Sequence, residues 1–430
     1  MKLKQLISLL AICGLSSPAL ATDGYFSDGY GIKAKGMAGV AIALPQDALA
    51  AANNPAGMVM VGERLDLGLD WFRPSRGADI TGNTAGLNGS YNGNGKQNFF
   101  IPEFGYNRML GTDMSAGISV YGNGGMNTRY NANPFAAGFL GAFGGQNPGG
   151  INLEQLFVAP TFAIKASRNN ALGVSLVFSQ QRFGATGLQA FTANPAWSVS
   201  PANITDKGND TTSGWGLRLG WTGQLADNVT LGAAYASKIK GKFGAYKGLF
   251  AEGGEFDIPE NYGLGIAVKA TPQLTLGADI KQINYGKSHS VGNAVDCFLA
   301  GTCQLGAANG PGFGWRNTTV YKLGASYAYS KDLALRAGFS YNKQPIPASQ
   351  TFFNILAPGV VENHLTLGTT WTLANRNELS VAYMHAFNVN VNGSASILPT
   401  AAPPAGFGGG NANLHMYQDS LGVAYGIKFP

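Results

Sequence analysis

The sequence predicts an all-β fold, a transmembrane barrel of fourteen antiparallel strands closed around an N-terminal segment. Three observations carry that reading. Apolar residues recur at every second position in segment after segment, the connections between segments alternate short and long, and charged residues make up only 12% of the 430-residue chain. That charged share is about half of what soluble domains carry, and the 62 glycines are about twice the usual proportion. After the first two dozen residues no stretch approaches the roughly 18 unbroken apolar residues that a spanning helix needs. Aromatics at 11% and a net charge of only +6 exclude a disordered chain.

The N-terminus reads as an export signal over residues 1–21. Lys2 and Lys4 precede the apolar run Leu6 to Leu15, and Ala19-Leu20-Ala21 offers small residues for cleavage after Ala21. A lipoprotein signal using Cys13 is the rival, disfavoured by Ile12 beside it. Without Lys2 and Lys4 the balance is 27 basic to 23 acidic residues, too even to imply nucleic acid as a partner. Cys297 and Cys303 then remain in a Gly/Ala/Asn-rich stretch. In an oxidising compartment they read as a disulfide closing a short loop, the alternative being two unpaired thiols. With no histidine near them they make no metal site, and no cofactor is expected.

Residues 22–63 come next and lack period two. The small-residue runs Ala34 to Ala43 and Asp47 to Asn53 suit short helices, and Asn53-Asn54-Pro55-Ala56-Gly57 breaks the chain. A weakly charged segment of this kind fits the lumen of a barrel as a hatch; a periplasmic tail is the other reading.

Residues 64–430 then carry the strands. Leu65, Leu67, Leu69 and Trp71 alternate with Asp66, Gly68 and Asp70, and Trp215, Leu217, Leu219 and Trp221 alternate with Gly216, Arg218 and Gly220. The candidate segments are 64–72, 98–108, 113–121, 153–165, 170–182, 213–223, 228–238, 258–270, 273–285, 316–328, 332–342, 361–373, 376–389 and 414–429. Short links such as Ala226-Asp227-Asn228 and Ser330-Lys331-Asp332 read as turns, and the long ones are rich in Gly, Asn and Pro. An even strand count with turns on one side and long loops on the other is the pattern of a bacterial outer-membrane barrel, and closure follows because lipid tolerates no unpaired strand edge. Trp71, Trp221, Tyr235, Tyr341 and Trp371 at strand ends suit the interfacial girdles. Parity turns Arg218, Asp279, Lys281, Lys322 and Arg336 inward. Lipopolysaccharide and the barrel-assembly machinery are the partners such a chain implies, and a monomer is the default.

Several stretches together resemble the FadL/TodX family of outer-membrane transporters of long-chain fatty acids and aromatic hydrocarbons. They are Gly36 to Gly39 with Pro45-Gln46-Asp47-Ala48, then Asn54-Pro55-Ala56-Gly57, Phe256-Asp257-Ile258-Pro259-Glu260, Pro345-Ile346-Pro347-Ala348 and Val381-Ala382-Tyr383-Met384-His385. The resemblance implies a hatched barrel that takes up hydrophobic molecules passively and releases them sideways beside a kinked third strand. Long-chain fatty acids are the first substrate reading and hydrocarbons the alternative, with an open porin or a structural barrel behind them. Gly122, Gly124 and Gly125 would supply the kink, or else are loop glycines just past the strand. Of the family's two ligand-binding cations, one corresponds to Arg316, which parity with Tyr321 and Leu323 turns inward. The other corresponds to Arg182, which parity turns outward unless a bulge intervenes.

An enzyme is not expected. No Gly-x-Ser-x-Gly or His-Glu-x-x-His occurs, His289, His364, His385 and His415 are scattered, and Gly29-x-Gly31-x-x-Ala34 follows no strand.

Overall fold

Period-two patterning becomes one sheet that closes on itself. The computed structural model describes residues 23–397 and 407–429; the export signal and Thr22 lie outside that range. The strands are β1 (Arg64–Thr81), β2 (Gly89–Asn92), β3 (Phe99–Met109), β4 (Met114–Asn127), β5 (Gly150–Ser167), β6 (Asn170–Thr186), β7 (Asp210–Ala226) and β8 (Val229–Ala236). They continue as β9 (Asn261–Lys269), β10 (Leu274–Ile283), β11 (Thr318–Ala328), β12 (Leu333–Asn342), β13 (Asn363–Thr372), β14 (Glu378–Val391) and β15 (Asn411–Lys428). Each barrel strand pairs antiparallel with its neighbour in sequence, and β15 returns to β1 in unbroken register from Arg64↔Lys428 to Thr81↔Asn411. The short β2 hangs on the loop end of β1, through Gly77↔Asn92 to Ile80↔Gly89, and takes no place in the ring. The barrel therefore has fourteen strands. No helix among the described residues is long and apolar enough to cross a membrane.

Alternation assigns the two faces. On β1, Asp66 and Asp70 are buried inside while Leu67, Leu69 and Trp71 stay 40–47% exposed outside. The outer belt continues through Leu217, Leu264, Leu276, Leu323, Leu367 and Val423. Exposed leucine in a continuous ring is costly in water and favourable against acyl chains, so this surface belongs in lipid. Six connections, among them 168–169, 227–228 and 270–273, are tight; the others run to 284–317 at the longest. Short turns face the periplasm in such barrels and long loops face outward.

All fourteen expected segments are strands, but the loop-side ends differ. β1 runs to Thr81, β4 to Asn127 and β6 to Thr186, each several residues past expectation. Above the apolar belt the outward positions turn polar, as at Arg73, Ser75 and Arg182. Hydrogen bonding carries the sheet on where hydrophobic alternation has stopped, so the sequence pattern underestimates its height.

Candidate functional site

Residues 23–59 pack against the inward face of the barrel wall, nearly all of them buried. What holds them is charge. Lys33 sits 2.5 Å from Glu378 of β14, and Lys35 sits 2.6 Å from Asp70 and 3.3 Å from Glu103 on β1 and β3. Lys322 of β11 lies 3.2 Å from Asp23 and 2.8 Å from Asp28. The Asp279 carboxylate of β10 accepts the Ala41 and Ile42 N–H groups at 2.8 and 3.0 Å. Buried ion pairs gain little net stability over apolar packing, but breaking one strands a charge and costs several kcal/mol. The segment is thus tied to the wall at points spread around the ring.

Its last turn is fixed by Asn54. The side-chain amide donates to the Ile42 and Trp221 carbonyls at 2.7 and 2.9 Å, and Oδ1 accepts the Ala56 N–H at 3.1 Å. Beneath it β7 offers Gly220, where a Cβ would stand 1.9 Å from Asn54 Oδ1, so only glycine leaves room. Asn54 is 1% exposed. Replacing it with Ala removes three hydrogen bonds worth about 1 kcal/mol each. We expect a local destabilisation of about 2 to 3 kcal/mol, read as faster amide exchange over residues 42–56 while the barrel strands keep their protection.

The wall itself is interrupted at β4. Pairing with β3 runs from Met109↔Ser115 only to Phe104↔Val120; beyond it β3 residues Phe99 to Glu103 stay on β1, and β4 keeps only β5. Between Gly122↔Leu156 and Gly124↔Gln155 the register slips by one, leaving Asn123 as the extra residue of a bulge. Every residue from Val120 to Met126 is buried, on both faces of the strand, because this stretch leans into the lumen. There it meets the N-terminal segment. Ser27 N–H donates to the Asn123 carbonyl at 3.0 Å, Gly125 N–H to the Tyr25 carbonyl at 2.9 Å, and Phe26 bridges to Gly124. The Asn123 side chain accepts from Tyr30 Oη and donates to Gln155 Oε1, both at 2.9 Å. Gly122, Gly124 and Gly125 are therefore inside β4, not in the following loop.

Above this level the long loops converge on a narrow apolar chamber with a cavity volume of about 40 Å³. Phe135, Phe183, Phe191, Phe250, Phe313 and Phe353 stand in its wall, from five loops and β6. Their rings pack edge to face, Phe183 against Phe250 at 4.7 Å and Phe191 against Phe353 at 5.8 Å, as aromatic quadrupoles prefer. Ser290 is the sole polar side chain in the lining, and its hydroxyl is spent on the Glu255 backbone carbonyl. Below, between the N-terminal segment and β7–β11, lies a second, small cavity of about 30 Å³ whose lining carries charge. Arg218, Lys281 and Lys322 face it together with Asp28 and Asp279.

The cations chosen from sequence are elsewhere. Arg316 is exposed, two residues ahead of β11, and its backbone N–H donates to the Pro345 carbonyl at 2.9 Å. The inward expectation fails because strand parity does not extend past Thr318, where the strand begins. Arg182 points outward and its guanidinium lies 3.8 Å from Glu154 on β5. Cys297 and Cys303 are joined as a disulfide in the β10–β11 loop. Tyr25, Tyr30, Asn123 and the loop phenylalanines escaped the sequence reading, having no periodicity or motif to mark them.

Comparisons with known proteins agree with this architecture. The structure matches that of a Pseudomonas aeruginosa FadL homologue with TM-score 0.71 at 17% identity, covering 95% of this chain and all of the other. The Pseudomonas putida toluene transporter TodX matches with TM-score 0.67 at 18% identity, covering 94% and 99%. The Ralstonia pickettii toluene transporter TbuX matches with TM-score 0.64, also at 18% identity, covering 94% and 99%. In sequence, an outer membrane protein of Neisseria meningitidis serogroup B is 26% identical over 117 residues; the match spans 27% of this chain and about a quarter of that relative's length. The profile of one family covers residues 27–402, which leaves 26 residues unmatched at the start and takes in the luminal segment and nearly all of the strands. The chain therefore belongs to the outer membrane protein transport family, OMPP1/FadL/TodX, and its place is the outer membrane.

Proposed function

We propose that this protein carries hydrophobic small molecules passively across the outer membrane. They enter the chamber between the loops, pass down to β4 and leave sideways through the wall above the last β3–β4 pair. Residues 23–63 close the direct route to the periplasm. The apolar chamber carries the reading, since a site with almost no polar group in its lining binds by excluding water and does not reward charge. Its lack of any charged side chain favours an uncharged hydrocarbon, aromatic or aliphatic, over a fatty acid, because a carboxylate there would be buried without a partner. One observation supports the fatty-acid reading. Arg218 and Lys281 face the lower cavity with no carboxylate within 4.0 Å among the described residues, and a long tail in the chamber could bring an acid group toward them.

Binding to the purified protein in detergent separates the two. A neutral alkane should bind at least about tenfold more tightly than oleate of matched chain length, whose carboxylate would be buried without a partner, and Leu249→Asp in the chamber lining should weaken both at least about tenfold, since an unpaired buried charge costs more than 1.4 kcal/mol. Arg218→Ala should leave both unchanged. Oleate binding that is tenfold tighter than the alkane, with the difference lost in Arg218→Ala, would move the assignment to fatty acids. Loss of neither ligand in Leu249→Asp would remove the chamber from the route.

A further inference from the structure

Two outer loops, 237–260 between β8 and β9 and 284–317 between β10 and β11, meet at the rim of the apolar chamber. There they bring together three side chains that the uptake route does not use. Glu252 and Glu255 come from the first loop and His289 from the second. His289 Nδ1 stands 2.5 Å from Glu252 Oε1 and 3.8 Å from Glu255 Oε1, and one ligand atom of each residue lies within 4.8 Å of the others. All three side chains reach solvent, with 47%, 36% and 23% of His289, Glu252 and Glu255 exposed.

Two carboxylates placed side by side need either a shared proton or a cation between them. The nearby ammonium groups are engaged elsewhere. Lys238 lies 2.8 Å from Asp257, and Lys242 donates to the backbone carbonyl of Glu252 at 3.4 Å. The backbone also commits Glu252 to this position. Its φ of 53° is in the left-handed region, and N–H bonds from Glu252 to Ala307 and from Gly253 to Gly306, both 2.9 Å, lock that turn onto the second loop.

We propose that Glu252, Glu255 and His289 form a binding site for a first-row divalent cation such as Zn²⁺ or Mn²⁺, which clasps the two loops together. An imidazole with two carboxylates suits these ions, whereas Ca²⁺ and Mg²⁺ prefer oxygen alone. Bonds of about 2.0 to 2.1 Å to tetrahedral zinc put ligand atoms about 3.3 Å apart. The observed 2.5 and 3.8 Å separations reach that spacing by shifts of under 1 Å in exposed side chains, and water takes the fourth position. Leu249, Phe250 and Ser290 of the chamber lining are close in sequence to these ligands, so the ion pins the mouth through which hydrophobic molecules enter. The assignment stands apart from the uptake reading and fails or holds without it.

Calorimetric titration of the full chain in detergent, without a polyhistidine tag, tests it with Zn²⁺ alone and then Ca²⁺ alone. One Zn²⁺ per chain is expected, with Ca²⁺ at least about tenfold weaker. His289→Ala and Glu255→Gln should each weaken Zn²⁺ by at least the roughly 10- to 100-fold that loss of a mere outer partner costs. Both positions are partly exposed on loops, and unchanged heat-modifiable migration on gels would show that the barrel is intact. Zn²⁺ should also slow proteolysis of the two loops in the parent and not in His289→Ala. Absence of binding to the parent overturns the proposal. So does Zn²⁺ binding that survives His289→Ala, or Ca²⁺ binding of equal strength, either of which marks general attraction to acidic surface.

Discussion

Removing residues 23–57 is expected to turn a nearly silent barrel into one that conducts in large, stable steps. The segment supplies Lys33, Lys35, Asp23 and Asp28 to ion pairs with Glu378, Asp70, Glu103 and Lys322, so its loss leaves an inner wall lined by charges of both signs. Such a wall wets readily, and a ring of fourteen strands lies between the side-chain-filled small barrels and the 16- to 18-stranded porins with aqueous channels. Conductance in planar bilayers should rise about tenfold or more. The barrel should persist, because β1 and β15 close it through their own ladder. A deletion variant that migrates as a folded barrel and conducts no more than the parent would show that the segment does not close the lumen.

Gly124→Val should have the second large effect, on the contact between β4 and the N-terminal segment. A Cβ at Gly124 would stand 1.9 Å from the Tyr25 carbonyl oxygen and 3.0 Å from Phe26 Cα. Both are backbone atoms, so neither can yield without moving the segment. Overpacking costs typically about 1 to 3 kcal/mol, and the hydrogen bonds of Ser27 and Gly125 to this junction go with it. Amide exchange at Ser27 and Gly125 should quicken by about 10- to 100-fold, the equivalent of that energy. Gly244→Ala is the control, since nothing lies within 4 Å of its added Cβ. Equal exchange in both variants would mean that the close approach at Gly124 carries no weight.

How much of this was legible beforehand follows from the physics of each part. A strand writes its two faces into alternate residues, so Leu65 to Trp71 and Leu421 to Phe429 announced both the strands and the side that meets lipid. The same parity correctly turned Arg218, Asp279 and Lys322 inward, where each is buried. Their partners were not legible, because Asp23, Asp28 and the backbone of Ala41 and Ile42 lie hundreds of residues away on a segment with no periodicity. Arg316 shows where parity stops, since it was counted from a strand that starts only at Thr318. The β4 bulge was half legible. Gly122 to Gly125 signalled an irregularity, but glycine is equally at home in a loop, and only the one-residue slip at Asn123 separates the two. The chamber was not legible at all, because all but one of its phenylalanines meet in space from loops whose sequences read as Gly- and Asn-rich connections.

Deleting Asn123 tests the sideways route most directly. Without the extra residue β4 can run in regular register with β5 and take up the free edge of β3, closing the wall above Phe104↔Val120. The variant should still migrate as a heat-modifiable barrel and still bind a neutral hydrocarbon in its loop chamber. Uptake of that hydrocarbon by intact cells should nevertheless fall to the level of cells lacking the protein. Uptake at the parental rate through a barrel with β3 and β4 zipped together would contradict the account and place the exit through the lumen.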